Sequence, residues 1–180
     1  MDYKYFGLLA FLILVLGLGF ILWRWPQGKH LTFSQHVAVA RYKRIYYIVL
    51  FAIALPLLLI FFGQWFVPTF GLSMWFTIFV SLAALAQCIC TLIPELEGWR
   101  KKSHQLLAGI SALSLLPPLG YIVVTTHIPI VGRVISVVSL LGMVGVIGIL
   151  LLRKGSRYHL VLQVVYYVAF FLPILVISYL

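Results

Sequence analysis

Arg41–Val67, RYKRIYYIVLFAIALPLLLIFFGQWFV, joins three basic residues, Arg41, Lys43 and Arg44, to an apolar run from Ile45 to Val67 without a charged residue. A hydrocarbon layer about 30 Å thick is crossed by roughly 20 apolar residues in a helix. The stretch therefore reads as a transmembrane span entered from a basic loop. Five further runs have the same character: Tyr5–Trp23, Leu72–Ile93, Gln105–Thr125, Ile128–Leu152 and Leu160–Leu180. Composition agrees, with 64% hydrophobic and 9% charged residues, where a soluble domain needs about 25% charged residues to cover its surface. The expected fold is all-α, a single bundle of six transmembrane helices over residues 1–180.

The first run is read as a retained helix. Its apolar stretch exceeds the roughly 7–15 residues of a signal-peptide core, and no small-residue cleavage site precedes Arg24. The formal net charge of +10 suggests nucleic acid until the placement of the charges is considered. Five Lys or Arg lie between the first and second spans (Arg24, Lys29, Arg41, Lys43, Arg44), three between the third and fourth (Arg100, Lys101, Lys102) and three between the fifth and sixth (Arg153, Lys154, Arg157). The opposite side has only Lys4 and Arg133. Eleven against two is a strong positive-inside bias, which puts these loops in the cytoplasm of a multi-pass cell-membrane protein and both termini outside. No nucleic acid is implied. Membrane lipids are the expected partners, and Arg41, Lys43, Arg44, Arg100, Lys101 and Lys102 would attract anionic headgroups.

The three spans that leave the basic side each carry proline, at Pro56, at Pro117 with Pro118, and at Pro173. Proline removes a backbone bond and bends a helix, so these three read as kinked. In the connector between the first two spans, Pro26 and Gly28 break the helix, and Thr32 or Ser34 would cap a new one running through HVAVARYKR into the second span.

Polar residues inside the spans are few. On the third, Ser73, Thr77, Ala84, Cys88 and Thr91 share a face at 100° per residue, with Ser81 and Gln87 on its borders and Phe76 pointing away. On the fourth, His104, Ala108, Ser111, Leu115 and Pro118 share a face. These stripes suit a polar seam between the third and fourth spans, either packed through hydroxyl bonds and small residues or lining a ligand path, with Gln87 the residue that packing explains least. The seam residues are Ser73, Thr77, Gln87, Thr91, Glu95, His104 and Ser111. On the fifth span Ser136, Ser139, Gly142, Gly145 and Gly148 form a small-residue stripe that would suit a partner or a homo-oligomer.

The seam ends at PELEGWRKKSH, Pro94–His104, which holds two of the three acidic residues. Glu95 and His104 are the candidate catalytic residues, as an acid–base pair. Alternatively, Glu95 and Glu97 offset the local positive charge, Glu97 pairing with Arg100 or Lys101. Cys88 and Cys90 point apart on a helix and imply neither a disulfide nor a metal site. No metal spacing, haem site or other cofactor is implied, and no G-x-S-x-G, P-loop or H-E-x-x-H motif occurs.

The segment TLIPELEGWRKKSHQLLAGISALSLLP, Thr91–Pro117, resembles an uncharacterised prokaryotic six-helix membrane family distantly similar to the DRAM/Frag membrane proteins. Pro94, Glu95, His104 and Ala108 carry the likeness. The resemblance implies a membrane role, with eukaryotic relatives associated with lipid and membrane-trafficking processes. Three functions stay open: binding or moving a small or lipidic ligand along the seam, modifying lipid headgroups through Glu95 and His104, or serving as a structural or partner-binding subunit.

Overall fold

The architecture was read from a computed structural model that describes residues 2–26, 28, 30–152 and 158–179. The loop bases Lys29, Arg153, Lys154 and Arg157 lie outside the described residues. Six helices are long and apolar enough to cross a membrane, and no strand occurs among the described residues. Helix α1 covers Lys4–Arg24, α3 Arg41–Phe61, α5 Met74–Leu92, α8 Ile130–Leu152 and α9 His159–Tyr179. A π-helical stretch, Phe62–Phe66, and the short α4, Val67–Phe70, continue α3. The fourth span is broken in two, α6 (Trp99–Ser114) and α7 (Leu116–Val124).

Of the three expected kinks, the double proline acts most strongly. Pro117 and Pro118 cannot donate to the carbonyls one turn earlier, and the helix is interrupted at Leu115. Pro56 and Pro173 sit inside continuous helices. The π stretch falls between Pro56 and Pro68, where one backbone ladder must absorb two missing donors. Around it Phe61, Phe62, Phe66, Phe76 and Phe170 fill the core in edge and tilted contacts with centroids 5.0 to 6.4 Å apart.

The helices form a ring. Pairing is most extensive for α5 with α6, α8 with α9, α1 with α3, and α7 with α8, and α3 joins α5. Among the described residues α1 and α9, which would close the ring, barely touch. They meet toward the termini, where the Tyr179 hydroxyl donates to the Lys4 carbonyl at 2.6 Å, the Lys4 ammonium lies 4.9 Å from the Tyr179 ring, and Phe11 contacts Phe171. Nearer the basic loops both helices border a cavity through the exposed Val15, Gly19, Val164 and Val168.

The connector differs from expectation. Thr32 caps α2, Phe33–Ala38, through a capping box with Gln35, but α2 stops before the second span. Ala40 is extended, with φ −134° and ψ 138°, and α3 restarts at Arg41. The short helix is thus free to fold back under the bundle, burying Phe33, Ser34, His36 and Val37.

The small-residue stripe of α8 does not form one face. Steps of three residues drift by about 60° each on an α-helix. Ser136 and Ser139 consequently point inward, beside Gly132, Met143 and Val146, while Gly142 and Gly145 point outward into open space.

Candidate functional site

Between α5 and α6 the chain turns through Ile93–Gly98, and the turn points Glu95 back into the protein. Gly98 allows it by adopting φ 67° and ψ −139°, a conformation that side chains disfavour. The Glu95 side chain is 4% exposed and that of His104 7%. Oε2 of Glu95 accepts from Thr32 Oγ1 and Ser34 Oγ, both at 2.7 Å, and Oε1 accepts from Gln35 Nε2 at 3.1 Å. Each hydroxyl has one proton, so the 2.8 Å approach of Thr32 Oγ1 to Ser34 Oγ is the close spacing of two donors on one oxygen. All three partners come from the start of α2, whose capping box holds them in place: Gln35 N–H donates to Thr32 Oγ1, and Thr32 N–H to Gln35 Oε1. Glu95 is the acceptor that fastens α2 to the α5–α6 turn.

His104, in the second turn of α6, sits on the other side of the carboxylate, Nε2 3.8 Å from Oε2. Its Nδ1 lies 2.7 Å from the Ile93 carbonyl. A carbonyl can only accept, so Nδ1 carries a hydrogen and Nε2 faces Glu95. Cys90 Sγ is 3.5 Å from Nδ1 and 3.4 Å from Nε2. A sulfur equidistant from both nitrogens lies over the ring, not in its plane, and the thiol donates instead to the His104 carbonyl at 3.6 Å. The in-line thiol–imidazole bond of a nucleophilic pair is absent from this arrangement. The free space beside His104, bordered by Ser34, Arg44, Tyr47, Cys90 and Pro94, is about 10 Å³, room for a single water at most.

A much larger space lies along the same buried face of α5, nearer the middle of the helix. A cavity of about 320 Å³ extends between α1, α3, α5, α6 and α9. Its floor includes Phe51, Leu58, Phe62, Val80, Ala83 and Ala84, and Phe33 of α2 closes the end toward the basic loops. It opens sideways where α1 and α9 part, past the exposed Val15, Gly19, Val164 and Val168. Three lining residues are polar. Gln87 and Ser111 are buried; the Tyr167 hydroxyl reaches Gln87 Oε1 at 3.5 Å, and Ser111 Oγ donates to the Ala83 carbonyl at 3.0 Å.

The seam residues therefore separate into groups. Glu95 and His104 meet in the knot; Gln87 and Ser111 face the cavity. Thr91 is buried with its hydroxyl on the Cys88 carbonyl, Ser73 is exposed and caps α5, and Thr77 is half-buried. The buried face of α5 is instead Phe76, Val80, Ala83, Ala84, Gln87 and Cys90, rather less than a quarter turn from the stripe of small polar residues. Phe76, expected to point away, is fully buried. Bulk decides the rotation: the aromatic cluster takes Phe76, and hydroxyls that can bond their own backbone stay at the edge. On α6 and α7, His104, Ser111, Leu115 and Pro118 do turn inward. Glu97 is exposed, and no ion pair joins it to Arg100 or Lys101 among the described residues. No group of three His, Cys, Asp or Glu that could hold a metal occurs among the described residues.

Sequence reasoning missed Thr32, Ser34 and Gln35 as partners of Glu95, and Tyr167 as a cavity residue. The T-x-x-Q capping pattern marks the first three as a helix start; nothing local says which distant carboxylate they meet. No family model, no curated protein and no solved structure matches the chain.

Proposed function

We propose that the protein crosses the cell membrane six times, with its basic loops in the cytoplasm and both termini outside, and binds a lipidic ligand by its apolar chain. The observation that carries this reading is the 320 Å³ cavity with its side opening between α1 and α9. Its volume falls in the range of about 300–1,000 Å³ typical of ligand sites. In a bilayer an acyl or isoprenoid chain is the nearest filler, and the opening faces where such chains lie. The α5–α6 seam is closed beside Cys90 and His104, so the ligand path keeps only the deeper seam residues Gln87 and Ser111, which line the cavity. The resemblance to the DRAM/Frag-related family points in the same direction, toward lipid.

A second reading, headgroup chemistry at Glu95 and His104, draws on their 3.8 Å approach. It requires room for a substrate, and the space there accommodates one water. The lipid-binding reading is tested by native mass spectrometry of the protein released from lipid nanodiscs. The wild type retains one lipid, and Ala84→Phe, which projects a ring into the cavity, loses it with unchanged helical content. Equal lipid retention by the variant would sink the reading.

A further inference from the structure

The cavity's lining also bears on the head of its ligand. This step rests on the lipid-binding reading above. We infer that the bound lipid is a single-chain, uncharged one whose head carries a carbonyl oxygen, held by Gln87 and Tyr167, with its chain running toward Phe62 and Phe171.

In a bilayer, moving a chain from surrounding lipid into an apolar cavity gains no hydrophobic energy, because both environments are equally apolar. Selectivity must then come from shape and from polar contacts. Among the described residues no Lys, Arg, His, Asp or Glu lines the cavity. A phosphate or carboxylate drawn into it would lose its hydration without gaining a counter-charge, which strongly disfavours it. The polar groups that do line the space gather toward one end. Gln87, on the α5 turn before Cys90, and Tyr167, two turns into α9, approach each other at 3.5 Å, the outer limit of a hydrogen bond. A contact this long is readily exchanged for a better acceptor. The Gln87 amide nitrogen, whose other N–H is taken by the buried Tyr47 hydroxyl, and the Tyr167 hydroxyl can then both donate to one carbonyl oxygen. Ser111 has given its proton to the Ala83 carbonyl, so it offers lone pairs only and would accept from a hydroxyl beside that carbonyl.

Beyond these groups the walls are aliphatic and aromatic as far as Phe62, Phe11 and Phe171. The volume lies at the small end of the ligand-site range, which suits one chain better than two. The carbonyl of an ester, an amide or a quinone satisfies these requirements, and the bare phosphate of a phospholipid does not.

The test uses three photoactivatable probes with the same diazirine-bearing chain: a monoacylglycerol, a lysophosphatidic acid and a headless hydrocarbon. Each is added at equal mole fraction to the full-length protein in nanodiscs, and crosslinks to cavity residues are counted by peptide mass spectrometry. The monoacylglycerol labels at least about ten-fold more than the lysophosphatidic acid. Gln87→Leu with Tyr167→Phe brings its yield down to that of the hydrocarbon, whose labelling is unchanged. Tyr167→Phe alone, which deletes only a hydroxyl, acts in the same direction by a smaller factor. Equal or stronger labelling by the phosphate-headed probe, or indifference to both variants, overturns the head-group inference while leaving lipid binding intact. Absence of cavity labelling by all three probes removes the lipid-binding reading itself.

Discussion

Glu95 is the side chain on which the basic end of the protein is organised. Its two oxygens receive three side-chain donors from α2, and the donors have no other carboxylate within the connector. Removing the acceptor strands two hydroxyls and an amide in a partly closed space. Each unsatisfied group costs on the order of 1–3 kcal/mol, though water reaches some of them once α2 loosens. Glu95→Ala is expected to destabilise by about 3 kcal/mol, read as a lowered thermal midpoint in detergent together with faster proteolysis between residues 26 and 40. Glu95→Gln keeps one acceptor oxygen and should lose roughly half as much. A fully wild-type midpoint for Glu95→Ala would mean that α2 is held without Glu95, by the burial of Phe33 and Val37 and the Phe33 N–H bond to Gln163 Oε1. Gly98 belongs to the same unit: at φ 67° and ψ −139°, Gly98→Ala introduces strain of about 1–3 kcal/mol, and the same proteolysis assay should detect it as release of α2. Exposed Glu97 provides the contrast, since Glu97→Ala leaves both readouts unchanged.

Among the helices, close approach and open space occur in residues of one type. A Cβ on Gly7 would lie 2.6 Å from the Phe61 ring, and one on Gly17 2.3 Å from a Leu50 methyl, so α1 meets α3 through its glycines. A Cβ on Gly142 or Gly145 meets nothing within 4 Å. Gly7→Val should therefore push α1 from α3 and cost about 1–3 kcal/mol through overpacking. Gly145→Ala should be neutral or slightly stabilising, because alanine favours a helix by up to about 1 kcal/mol. Unfolding in mixed detergent separates the two; equal effects would mean that the α1–α3 interface is loose. Helix positions were legible from the sequence because hydrophobic length is a property of single segments: the second run, Ile45–Val67, lies inside the apolar helix Arg41–Phe70. The inward face of α5 was less legible, because the stripe containing Ser73, Thr77 and Cys88 has a regular period but yields to the bulk of Phe76 and Val80. The Glu95 knot was half legible. Its carboxylate, histidine and capping threonine stood out, whereas their meeting depends on α2 folding back, which no local pattern encodes.

At the scale of the whole molecule, the charges at the two ends and the gap between α1 and α9 bear on one orientation. Among the described residues Arg24, Arg41, Lys43, Arg44, Arg100, Lys101 and Lys102 flank the helix ends from which α2 hangs, while Lys4 and Arg133 stand at the other end. The cavity ends at Phe33 on the basic side, so under the proposed lipid-binding function orientation also decides which leaflet supplies the ligand. Topology follows the Lys and Arg balance of short loops, and across the whole sequence the balance is eleven to two. Substituting Gln for Arg100, Lys101 and Lys102 together still leaves eight against two and should not invert the protein. Single cysteines report the result in a background where Cys88 and Cys90 are alanine. Thr126→Cys, between α7 and α8, should react with a membrane-impermeant maleimide in intact cells. Lys101→Cys should react only after permeabilisation, and Thr126→Cys should still react in intact cells in the background carrying Gln at the three basic positions. Labelling of Lys101→Cys from outside would reverse the orientation and assign the polar end of the cavity, at Gln87 and Tyr167, to the outer leaflet. Mixed labelling at both positions would mean dual insertion, in which the basic loops do not set the direction at all.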